Sequence, residues 1–227
     1  MNRHEQTTRC RTVVRGGLQR PKWICRNVKQ NVVLVRDASE SMRGQKAKDA
    51  SSASVELVAA LAEPANKDGF NVAVVDFSSR SRIVHRLEKA TTLNGKVTPI
   101  SVQGNTNITA GFQDALSILE RAGRGNQDGV TYLQSVVLAS TDGGHNEGPG
   151  PQQVANRLKE IADVVTVAFG SDADESLMRS LASTSQHFYR CSSGRELRKF
   201  LAAVGATITA TMATGRNATQ ALTMLRQ

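Results

Sequence analysis

The chain has 227 residues, 39% hydrophobic and 22% charged, enough for one well-cored domain with an appendage and short for two. Its net charge of +9 is concentrated, because residues 1–30 carry eight Lys or Arg against Glu5 alone, a local +7, and the other 197 residues carry only +2. No segment has the length of a membrane span and no apolar stretch marks an export signal. The sparse Cys10, Cys25 and Cys191 do not make a disulfide framework, so a reduced, cytoplasmic protein with no membrane contact is expected.

Along the chain, the basic arm 1–30 mixes cations with Val13, Val14, Trp23 and Ile24, too apolar a mixture for pure disorder. It reads either as a site for an acidic partner, nucleic acid or the negative rim of a protein, or as a tail or strap on its own domain. Residues 31–36 form a β-branched apolar strand interrupted by Arg36, which needs an acidic neighbour or the arm as its partner. A helix follows over 46–61 with Val55, Leu57, Val58 and Leu61 on its apolar side, and Pro64 lies just past it. Residues 71–77 are the next strand, and 80–86, with alternating charges, read as an exposed edge strand. A loop or short strand over 94–102 feeds Gly104-Asn105-Thr106. Residues 109–122 are helical with Thr109 as cap and Phe112, Leu116 and Leu119 inward, and 123–128 read as a polar surface loop. Strands over 136–140 and 164–169 alternate with helices over 154–162 and 172–181. A last strand at 187–189 precedes a final helix from Ser193 and a tail over 214–227 that could add a short helix.

This strand–helix alternation is that of an α/β fold. It implies a doubly wound, mostly parallel central sheet with one antiparallel edge strand and helices on both faces. In such sheets ligand sites lie beyond the carboxyl ends of the strands. Three stretches fall at that edge. Asp37-Ala38-Ser39-Glu40-Ser41 offers one carboxylate and two hydroxyls from a single turn, a hard oxygen set suited to a small divalent cation. Gly104-Asn105-Thr106-Asn107 leads into a helix, and Ser140-Thr141-Asp142-Gly143 ends a second buried strand.

Together these motifs resemble the von Willebrand factor A (vWA) domain and its metal-ion-dependent adhesion site. Asp37, Ser39, Ser41, Thr106 and Asp142 match the family's pattern one for one and in order. The resemblance implies a vWA domain over 31–213 and a metal held by these five residues. Mg2+ is the expected ion, with Mn2+ or Ca2+ as alternatives, and an open position takes a Glu or Asp carboxylate from a partner protein. Small cytoplasmic bacterial vWA proteins of tellurite-resistance and stress systems are similar, and they are associated with kinases, phosphatases or AAA+ ATPases. Oligomeric state is not implied. Two departures stand out: Glu40 replaces the usual Gly between the serines, and His145 and Glu147 follow Asp142 where relatives have a further Asp. Glu40 could weaken capture of an acidic ligand or compete with it. His145 and Glu147 read as loop polarity or as ligands that would tune the choice of metal.

Enzyme chemistry is not expected. A phosphatase of this layout needs a second carboxylate two residues after Asp37 as general acid–base, and Ser39 cannot serve. No nucleophile elbow or phosphate loop is present in the sequence. The alternative from another class is nucleic-acid binding through the arm with the vWA domain as scaffold, although Trp23 stands alone as a stacking residue there.

Overall fold

Val32, Val33, Leu34 and Val35 are each at most 2% exposed, so both faces of the first strand are covered, as a central parallel strand requires. The computed structural model describes residues 28–214 and 218–225, so the arm up to residue 27, with Cys10 and Cys25, lies outside the described residues. The first strand, β1 (Val28–Asp37), is followed by α1 (Gln45–Leu61), β2 (Phe70–Phe77), β3 (Ser81–Lys89) and the short α2 (Ala90–Leu93). Next come α3 (Ile108–Glu120), the small strands β4 (Gly125–Gln127) and β5 (Val130–Tyr132), and β6 (Ser135–Thr141). The chain finishes with α4 (Gln152–Ile161), β7 (Ala162–Phe169), α5 (Glu175–Leu181), β8 (Phe188–Cys191), α6 (Gly194–Ala213) and α7 (Thr219–Leu222).

The main sheet runs β3-β2-β1-β6-β7-β8, parallel throughout except for the antiparallel edge β3. Strand alternation sends side chains to opposite faces. Val32, Leu34, Val74, Leu138 and Val167 pack into one core with Leu57, Val58 and Leu61 of α1 and Leu197, Val204 and Ile208 of α6. Val33, Val35, Val75, Val137 and Ala168 join Phe112, Leu116 and Leu119 of α3, Leu158 of α4 and Leu181 of α5 in the other. Helices thus cover both faces, and the expected doubly wound α/β architecture is present. Gly111 lets α3 lie close on β2, since a Cβ there would stand 2.9 Å from the Phe77 ring.

Several details differ from expectation. β1 starts at Val28, inside the stretch assigned to the arm. Val55 is 39% exposed, and the buried side of α1 is completed by Ala47, Ala50 and Ala53 instead. Small residues carry little hydrophobic signal, and Gly205 of α6 sits where a Cβ would stand 3.0 Å from Leu57 and 3.6 Å from Ala60 of α1. The cap of α3 is Asn107, whose Oδ1 accepts from the Ala110 amide at 3.0 Å, whereas the Thr109 hydroxyl donates to the Pro149 carbonyl. Residues 123–128 are not all loop, because β4 and β5 form a hairpin whose second strand pairs parallel with the start of β1. The tail does add a helical turn. Leu222 is fully buried, and its carbonyl accepts from the Tyr189 hydroxyl.

Candidate metal centre

From β1 the chain winds outward through β2 and β3, then crosses by α3 to β6 on the other side of β1 and continues outward. The winding therefore reverses between β1 and β6, which creates a crevice at their carboxyl ends. Asp37 is the last residue of β1, and Asp142 follows the last residue of β6. Both are fully buried, with Ser39 1% and Thr106 3% exposed beside them, whereas Ser41 is exposed at the rim.

The hydroxyls and carboxylates form one connected set. Ser39 Oγ lies 3.0 Å from Ser41 Oγ, and Ser41 Oγ donates to Asp142 Oδ1 at 2.6 Å. Asp37 Oδ1 accepts the Ser39 amide at 2.7 Å, and its Oδ2 accepts from the Thr141 hydroxyl. Burial pushes the Asp37 carboxyl above the usual carboxylate range, the hydrogen bonds from Ser39 and Thr141 oppose that rise, and the nearby Asp142 charge adds to it. Thr106 completes the ring: a Cβ on Gly143 would lie 3.7 Å from both Ser41 Oγ and Thr106 Oγ1. All five predicted site residues therefore converge on one cup.

Backbone geometry fixes the rim. Gly104, at φ +66°, sits where a Cβ would strike Ser79 Oγ at 2.6 Å, and its carbonyl accepts the Glu40 amide at 3.0 Å. This ties the Thr106 turn to the Ser39–Ser41 turn. Asn146 clamps the same turn from the other side: its Oδ1 accepts the Thr106 amide at 2.8 Å and its amide donates to the Thr106 carbonyl at 3.0 Å. His145 Nδ1 accepts the Ile108 amide at 3.2 Å, so this ring holds the start of α3 in place. Glu40 is turned outward onto Arg43 in an exposed ion pair of 2.6 Å.

Arg36 has the acidic neighbour it needs. It pairs with Asp76, its register partner on β2, at 2.7 and 3.1 Å and also donates to the Thr98 carbonyl at 3.0 Å. Three neighbours of the site were not singled out from sequence. Thr141 and Asn146 sit inside or just after quoted motifs, but nothing in one sequence separates them from ordinary loop polarity. Lys46 looks like the first exposed residue of a helix, yet its Nζ donates to Asp142 Oδ2 at 2.5 Å.

The donor set fits a small divalent cation. Neighbouring ligands on a Mg2+ octahedron with bonds of about 2.0–2.1 Å stand about 2.9 Å apart. The Ser39–Ser41 and Ser41–Asp142 separations of 3.0 and 2.6 Å bracket that spacing. Among the described residues no three His, Cys, Asp or Glu side chains come together in a metal-holding group, so a cation here depends on the hydroxyls. An apolar recess lined by Tyr189, Cys191, Phe200 and Leu225 contains none of the cup residues. No helix among the described residues is long and apolar enough to cross a membrane.

Comparison with known proteins agrees with this fold. The family model for the von Willebrand factor type A domain matches residues 31–203. Inter-alpha-trypsin inhibitor heavy chain H4 of Sus scrofa is 28% identical over 166 residues, 68% of this chain and 17% of that protein. Heavy chain H1 of Mesocricetus auratus is 28% identical over 159 residues, 65% of this chain and again 17% of the relative. The chain thus spans about a sixth of the length of these curated relatives. Among solved structures, proximal thread matrix protein 1 from the mussel byssus, with a zinc-occupied MIDAS motif, superposes with a TM-score of 0.65 at 25% identity. It covers 81% of this chain and 46% of that one. A von Willebrand factor type A protein from Catenulispora acidiphila gives 0.67 at 17% identity, over 80% and 43% of the two chains, a likeness of fold alone.

Proposed function

The chain belongs to the von Willebrand factor type A family, and from that premise we propose that it is a metal-dependent protein-recognition module. Its cup binds a divalent cation, Mg2+ best, and the bound ion captures a Glu or Asp side chain of a partner protein. The observation that carries this reading is the chain of oxygens Ser39 Oγ, Ser41 Oγ and Asp142 Oδ1, spaced at 3.0 and 2.6 Å like neighbours on one octahedral shell. The two serines and Thr106 would hold the ion, Asp142 would neutralise it directly or through water, and Asp37 would fix the Ser39 turn through its amide hydrogen bond. A bound dication supplies the positive centre for an incoming carboxylate.

The chain's own residues shape that event. Ser41 is the exposed member, so a partner reaches the ion from its side. Glu40 does not compete for the ion in this arrangement, because Arg43 neutralises it at the surface. Recognition rather than catalysis is supported by the arrangement around Asp142. Both its oxygens are engaged, by Ser41 and Lys46, and the position that would supply a general acid–base carries the Ser39 hydroxyl. Mg2+ titration calorimetry on the wild type and on Asp37→Ala and Asp142→Ala proteins tests the reading. Saturable binding lost in both variants supports it, and equal binding in all three proteins overturns it.

A further inference from the structure

Lys46 lies in the first turn of α1, where the helix dipole disfavours a cation. Its ammonium nevertheless reaches Asp142 Oδ2 at 2.5 Å, with the carboxylate fully buried and the lysine side chain one-third exposed. On the far side it lies against the end of β7, where a Cβ on Gly170 would sit 3.6 Å from Lys46 Nζ. The ammonium thus occupies a seat between β7 and Asp142, on the oxygen facing away from Ser41.

Resting on the cation reading above, we propose that Lys46 is a built-in counter-charge that weakens the hold on the metal and strengthens the loaded cup's hold on an acidic group. Asp37 and Asp142 alone carry two negative charges, which a dication only neutralises. With Lys46 the empty cup is singly negative, so it attracts the metal less. The loaded cup is then singly positive, so it attracts a carboxylate more. Lys46 therefore trades affinity for the metal against the loaded cup's affinity for the acidic group.

The test uses three proteins, wild type, Lys46→Met with similar reach and no charge, and Lys46→Arg with the charge kept. Mg2+ affinity is measured by calorimetry. Acetate is then titrated into each Mg2+-saturated protein, with the 15N-amide shifts of Ser41 and Gly143 as readout. Lys46→Met should bind Mg2+ roughly tenfold tighter and acetate several-fold more weakly, and Lys46→Arg should resemble the wild type on both counts. Lys46→Met that matches the wild type in Mg2+ affinity, or in acetate affinity when loaded, overturns the role of Lys46. That failure is distinct from failure of the cation reading itself, which would appear as Asp142→Ala binding Mg2+ as the wild type does and would end this inference too.

Discussion

Arg36 and Asp76 face each other in register across β1 and β2, 2% and 5% exposed, and form a two-point ion pair under the carboxyl edge of the sheet. Removing one partner of a buried pair leaves a charge without compensation. Asp76→Ala should therefore destabilise the domain by about 3–5 kcal/mol in urea unfolding. The paired replacement Arg36→Met/Asp76→Leu should recover most of that loss.

His187 gives the domain an acid-sensitive element. It is fully buried, with Nδ1 2.9 Å from the Thr184 hydroxyl, and burial holds its pKa below 6.5 although the Asp163 charge pulls upward. An unfolded chain takes up this proton near 6.5 while the folded one resists, so stability should fall as pH drops below about 6.5. Asp163, raised by burial, acts in the opposite sense: its contribution declines as pH rises above 3.8 through its raised value. Urea midpoints between pH 5 and 7.5 should therefore slope less steeply in His187→Gln than in the wild type.

The cap of α3 is a test of the turn that carries Thr106. Asn107→Ala removes the acceptor of the Ala110 amide and should cost about 1 kcal/mol. Equal stability of this variant and the wild type in urea would contradict the assignment of the cap.

Metal binding should register as stability. Mg2+ at a hundred times its dissociation constant adds about 2.7 kcal/mol to a native state that alone binds it. The melting temperature should rise by about 5–10 °C, return with EDTA, and not rise in Asp142→Ala.

Much of the fold was legible because its strands are long β-branched runs ending in turn residues, as in Val136-Val137-Leu138. The gathering of Asp37, Ser39, Ser41, Thr106 and Asp142 at one sheet edge was legible as well, since each follows a strand end or opens a helix there. The β4–β5 hairpin was not, because Gly125-Asn126-Gln127 carries no apolar alternation and Val130-Thr131-Tyr132 is too short a run to mark a strand by itself. The alanine face of α1 was hidden for a similar reason: Ala47, Ala50 and Ala53 are buried by what approaches them. Lys46 was illegible for a different one. Only the crossover from β1 to β6 brings residue 142 within reach of a residue 96 positions earlier.

The most direct test of the central claim is anomalous diffraction from crystals of the protein grown with Mn2+. The account predicts one strong peak about 2.0–2.3 Å from Ser39 Oγ and Ser41 Oγ, absent in Asp37→Ala/Asp142→Ala crystals. A manganese peak held by other residues, with none between the two serines, would contradict it.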